Sequence, residues 1–129
     1  MDARATGKRG ARTGERVSHE PHPADADVVR TFIAALRASG FAVATLVWYG
    51  SRARGTATHL QSDFDFIVVA PEFGAYGWVE RLVAAYACWP TAYAADILCY
   101  TSDEFARLAG RASIVREALQ TGQRVAFDE

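Results

Sequence analysis

Residues 48–69 read WYGSRARGTATHLQSDFDFIVV, two apolar segments joined by a polar, glycine-containing one. Both ends are apolar and rich in β-formers. Upstream, the pattern extends to residue 41 as FAVATLVWY, a buried strand over 41–49 that stops at Gly50 and Ser51. Downstream, FDFIVVA over 64–70 is a second strand, closed by Pro71. Arg52, Ala53 and Arg54 follow the Gly-Ser turn as a helix start. Backbone N–H groups at a helix start, with the helix dipole, favour a bound anion. Gly50 lets backbone approach closely, Ser51 adds a hydroxyl donor and Arg54 a charge-assisted one. These pieces suit a triphosphate, although most Gly-Ser turns after a strand bind nothing. The turn is not a P-loop, since it lacks the Lys and the glycine spacing, and it is not a dinucleotide fingerprint.

Asp63 and Asp65 stand two apart at the mouth of the second strand. Period-two alternation sends both to one face, and Phe64 and Phe66 to the other. Adjacent carboxylates repel and have raised pKa values unless a cation lies between them. Oxygen ligands at this spacing fit Mg²⁺, which keeps waters and accepts phosphate oxygens. An isolated D-x-D can equally sit in water at a strand edge. Asp96 is the third acid, in AADILCY, a strand over 94–100. A carboxylate among apolar neighbours is costly unless paired or bound to metal. If this strand lies beside the second, the three acids converge; otherwise Asp96 faces solvent at a strand end.

Working outward, residues 1–24 lack aromatic residues and have almost no large apolar side chain, so a solvated, disordered basic tail is expected. The tail has no apolar core of a signal peptide, and His19 and His22 receive no role. A helix is expected over about 27–39, with Val28, Val29, Phe32, Ile33 and Leu36 as its stripe, capped by Asp25 or Asp27 and ended by a left-handed Gly40. A second helix, about 75–87, has the stripe Trp78, Val79, Leu82, Val83 and Tyr86, which predicts Glu80 and Arg81 on the outside. Thr101 and Glu104 form a T-x-x-E capping box that starts another helix. Ile114, Val115, Ala118 and Leu119 mark a last helix, ended by Gly122, and a short strand over 124–127 follows. Helices packed on a small sheet are the expected architecture, with the folded domain over 25–129.

Composition narrows the function. Half of the 129 residues are hydrophobic and 22% are charged, as in an ordinary soluble globular domain. A net charge of -1 gives no field for a nucleic-acid backbone, so nucleic acid is not the expected partner. The longest apolar stretch, 41–49, is far short of a membrane span of ~20 residues. Two cysteines without a CxxC exclude a disulfide scaffold and a zinc ribbon, and a cytoplasmic location is expected. Cys88 and Cys99 are expected to be core thiols, Trp48, Trp78 and Trp89 packing residues, and His59 a surface loop residue. Lys8 is the only lysine, so a cation acting on phosphate in the folded part is an Arg.

Taken together, these motifs resemble the nucleotidyltransferase domain of the DNA polymerase beta superfamily, and within it the minimal nucleotidyltransferase (MNT) group. The shared pattern is an apolar strand ending in Gly50-Ser51, then Ala53-Arg54-Gly55, then Ser62-Asp63-x-Asp65 before an apolar run, then Asp96 on a later strand. It covers roughly residues 28–127. Tyr49 stands where Phe is common, and eleven residues separate Ser51 from Asp63, one more than the commonest spacing. The resemblance implies an α+β fold, a small mixed sheet of three or four strands with helices packed on it. It implies a site in which Gly50, Ser51, Arg54 and Ser62 hold a nucleoside triphosphate. Asp63, Asp65 and Asp96 would hold two Mg²⁺ ions, and Asp96 would serve the attacking hydroxyl. It also implies ATP as substrate.

With 33 residues after Asp96, no added substrate domain is expected, and the acceptor is expected on a partner. MNT proteins pair with helical HEPN toxins, so AMP transfer to a toxin tyrosine is the expected antitoxin activity. A transferase acting on a small molecule or another protein, and a steric binding module without catalysis, are the alternatives.

Overall fold

The computed structural model describes residues 20–56, 63–111 and 113–125. Helix α1, Pro23–Ala38, leads through a loop to strand β1, Thr45–Tyr49, and a single-turn helix α2, Ser51–Arg54. Strand β2, Phe64–Val69, is followed by a 3₁₀ turn, Pro71–Ala75, and helix α3, Trp78–Tyr86. Strand β3, Ala95–Tyr100, helices α4, Ser102–Ala109, and α5, Ile114–Thr121, and strand β4, Gln123–Arg124, complete the order. The sheet runs β3-β2-β1-β4, with β2 and β3 parallel and the other pairs antiparallel. The α+β fold and its four-stranded mixed sheet are those expected. No described helix is long and apolar enough to cross a membrane.

Strand alternation sorts the core into two layers. Phe64, Phe66 and Val68 join Trp48 against Phe32 and Leu36 of α1. Ile67, Val69 and Val47 face the other way, against Phe105 of α4 and Val115 and Ala118 of α5. Asp65 belongs to the second face by the same alternation. Cys88 and Cys99 are buried free thiols, as expected, and so is the Trp48 side chain.

Several boundaries differ from the sequence reading. Helix α1 starts at Pro23 rather than 27, because His22 caps it: its Nδ1 accepts from the Ala24 amide at 3.0 Å. Proline suits the first helical position. Asp25 is therefore no cap and points instead to Arg52. Gly40, with φ 98°, follows the helix in the left-handed region, and the Phe41 and Gly40 amides donate to the Leu36 and Arg37 carbonyls. Strand β1 starts four residues later than expected. Of the expected 124–127 strand only Arg124 is in β4, which starts one residue earlier at Gln123; Val125 lies past its end, and residues 126–127 lie outside the described residues.

Helix α3 is turned over relative to expectation. Its buried residues are Arg81 and Ala85, while Trp78, Val79, Leu82, Val83 and Tyr86 are all exposed. Trp78, expected as a packing residue, is 60% exposed. The reason lies at the edge of the sheet. β3 is an edge strand, and α3 lies against it. The Arg81 guanidinium donates to the Cys99 carbonyl at 3.2 Å and to both Glu104 oxygens at 2.7 and 3.2 Å. The Tyr86 hydroxyl donates to the Ala95 carbonyl and accepts from the Ile97 amide. These polar groups satisfy β3 backbone that would otherwise template strand pairing. The T-x-x-E box caps α4 as expected, with the Glu104 carboxylate accepting from the Thr101 amide at 2.8 Å. The same carboxylate binds Arg81.

Arg81→Ala is expected to cost about 3 kcal/mol, since it strands a carbonyl and a carboxylate in partly buried positions. Arg107→Ala, on the exposed side of α4, should stay within ~0.5 kcal/mol. Arg81 holds the Glu104 carboxyl down at about 2, below its ordinary 4.5. A depressed folded-state pKa gives stability that is present above 4.5 and lost as pH falls toward 2. The gap between wild type and Arg81→Ala in urea melts should therefore narrow on acidification; equal costs for the two arginines would refute this packing.

Candidate active site

The site forms where β1 leaves the sheet. Gly50 has φ 85°, a region that only glycine enters without strain, and it precedes α2. A β-carbon at Gly50 would also overlap the Asp65 carboxylate. The glycine thus permits both the turn and the close approach of the acid. Within α2 the two arginines divide. Arg52 is buried, with its guanidinium 2.9 Å from Asp25 and stacked over the Phe64 and Tyr93 rings at 4.5 and 4.9 Å. It pins the turn to α1. Arg54 is exposed and makes no ion pair among the described residues; it reaches the acidic pocket. Ser51 is half-buried at the start of α2.

The carboxylates meet through register. Asp65 on β2 is level with Asp96 on β3 and with Tyr49 on β1. In the parallel pair, level residues share a face, so Asp65 and Asp96 stand side by side. Asp63 lies just before β2 and is exposed. Asp96 is also exposed, rather than enclosed among its apolar neighbours, because β3 is the edge strand. Burial, then the charges of Asp96 and Asp63, push the Asp65 carboxyl up to about 6, and Arg54 opposes them. Burial, then the charges of Asp65 and Asp96, raise the Tyr49 phenol to about 12.

A pocket of about 220 Å³ joins Tyr49, Gly50, Arg54, Asp65 and Asp96 to Ile114, Glu117, Ala118 and Thr121 of α5. A second pocket of about 320 Å³ shares Arg54 and Thr121 with it. Four of the expected site residues, Gly50, Arg54, Asp65 and Asp96, therefore line one cleft; Ser51 follows Gly50 in the chain, and Asp63, exposed just before β2, is not among the lining residues. Ser62 and His59 lie outside the described residues. Sequence reasoning missed Glu117. Its signal was the spacing of 114, 117, 118 and 121, one helix face, but which wall that face would form was a tertiary matter.

The crowding of acids predicts a pH dependence. The folded-state pKa of Asp65, about 6, lies above its ordinary 3.8. A raised value means stability that is present below 3.8 and lost as pH rises through 6. In the absence of divalent ions, Asp65→Asn should gain stability over wild type at pH 7.5 and lose that advantage near pH 4. Solvent screening keeps the gain on the order of 1 kcal/mol. A gain that is the same at both pH values would contradict the crowding.

The sequence matches the family described as Nucleotidyltransferase domain over residues 29–120, from the middle of α1 to Gln120 in α5. The comparisons with curated proteins and with solved structures gave no match. That span takes in the Gly50 turn, Arg54, Asp63, Asp65 and Asp96, as well as the sheet that gathers them. The chain belongs to the nucleotidyltransferase domain family.

Proposed function

We propose that this chain is a Mg²⁺-dependent nucleotidyltransferase that moves AMP from ATP to a hydroxyl of a partner protein, a tyrosine of a HEPN-type toxin, and so serves as its antitoxin. Transfer of a nucleotidyl group follows from the family. The observation that supports metal-assisted transfer is the adjacency of Asp65 and Asp96 beneath the Gly50 turn, with Arg54 in the same pocket; the AMP donor, the toxin tyrosine and the antitoxin role rest on the resemblance to the MNT group.

The donor set suits Mg²⁺. All its members are hard carboxylate oxygens, and Asp65 is held half-buried beside like charge. Among the described residues, no three acidic, His or Cys side chains are gathered closely enough to cage an ion unaided. Asp63, Asp65 and Asp96 would hold the metal, which would offset charge on the triphosphate during displacement at the α-phosphate.

Gly50 leaves the backbone open to phosphate, Ser51 and Ser62 offer hydroxyls, and Arg54 offers a charge-assisted donor. Asp96 takes the acceptor proton as the acceptor oxygen bonds to the α-phosphorus and the bond to pyrophosphate breaks. The pocket, at about 220 Å³, is smaller than the ~300–1,000 Å³ of common ligand cavities. It has room for phosphates and leaves the acceptor outside. Asp96 is exposed, which gives a protein-borne hydroxyl access to it.

ATP and Mg²⁺ together should raise the melting temperature more than either alone, by several degrees at saturation, where binding at ~100 Kd adds ~2.7 kcal/mol. Equal shifts with and without Mg²⁺ would argue against a shared site.

The carboxylates should separate by role. Asp63→Asn and Asp65→Asn should weaken ATP·Mg²⁺ binding and abolish transfer. Asp96→Asn should keep much of the binding and lose the chemical step, a fall in kcat rather than affinity. The readout is radiolabel transferred from α-labelled ATP to the purified partner, alongside nucleotide affinity. Wild-type transfer by Asp96→Asn would remove the three-carboxylate mechanism.

A further inference from the structure

Seven large apolar side chains are exposed among the described residues, and six of them lie between Tyr76 and Tyr86. Val79 is 73% exposed and Val83 66%. Trp78, Val79, Leu82, Val83 and Tyr86 form one stripe along α3, since Arg81 and Ala85 occupy its inner side. The stripe presents on the order of 600 Å² of apolar surface, the upper end of what a monomer exposes in one patch.

We propose that this face of α3 binds the same face of a second copy of the chain about a two-fold axis. The order of residue types along the stripe is nearly symmetric: aromatic, aliphatic, aliphatic, aliphatic, aromatic. An antiparallel pair crossing near Leu82 sets Trp78 of one copy against Tyr86 of the other, with the aliphatic residues at the centre. Such self-complementarity is what an isologous interface requires. Charge agrees with it. Glu80 is the one exposed charged residue within α3. Its carboxylate accepts from the Gly77 amide at the start of the helix, and helical spacing puts it off the apolar stripe, so the stripe itself carries no charge.

Area agrees as well. Two such faces would bury roughly 1,200 Å², the lower bound for a specific, stable interface. Association by β3 edge-to-edge pairing is blocked, because Tyr86 and Arg81 already bond the β3 backbone. Helix against helix is the remaining route at that edge. No α3 residue lines the pocket that holds Asp65 and Asp96, so the pair leaves that pocket open.

Sedimentation velocity of the full chain across the micromolar range tests this. Wild type should sediment at twice the chain mass. Val83→Glu and Val79→Glu, each verified as folded by circular dichroism and melting temperature, should weaken the dimer at least ~30-fold. Arg107→Glu, on α4, should leave it intact. Leu82→Cys should cross-link two copies on mild oxidation. A wild type that stays monomeric at high micromolar concentration, or a dimer that survives both glutamate variants, would overturn the proposal.

Discussion

Everything in the site depends on one contact, that of the Asp65 carboxylate with a backbone that has no side chain. Gly50 lies so close to this acid that a β-carbon would displace it. The acid is held there by β2, whose alternate residues are locked into two apolar layers. A one-residue slip of β2 would exchange Asp65 with Phe64 or Phe66 and bury a carboxylate in the aromatic core. Parallel pairing with β3 then brings Asp96 level with Asp65. The chemistry is thus fixed by register, and register is fixed by packing.

Two anchors hold the surrounding loops in place. Arg52 ties α2 to α1 through Asp25 and lies over Phe64, so the Gly50 turn is attached to the core. Arg54, two residues on, is left for the pocket. Arg81 does the same work at the far edge, joining α3 to β3 and α4. In each case the long aliphatic stem crosses apolar surface and the guanidinium meets fixed acceptors.

The candidate site was legible in the sequence because its logic is local. A glycine after a strand, a D-x-D before a strand and an acid at the start of a third can be read from spacing, and alternation told which face Asp65 takes. The capping box at Thr101 and Glu104 was legible for the same reason. What failed was orientation. Periodicity marks α3 as two-faced, but it does not say which face is inward; an edge strand needing donors drew Arg81 inside and left the apolar stripe in solvent. The start of α1 was missed because His22, an unusual cap, replaced the expected Asp. Glu117 was missed because its wall of the pocket exists only once α5 packs over β1.

In the proposed function, Asp65 and Asp96, on neighbouring strands, share a divalent ion with a nucleoside triphosphate. Paramagnetic broadening tests it most directly: Mn²⁺ is titrated into isotopically labelled protein with ATP present, and amide signals are followed by NMR. Broadening should centre on residues 50–54, 63–65 and 95–97 and be largely lost in Asp65→Asn. Broadening centred elsewhere, or unchanged in that variant, would contradict it.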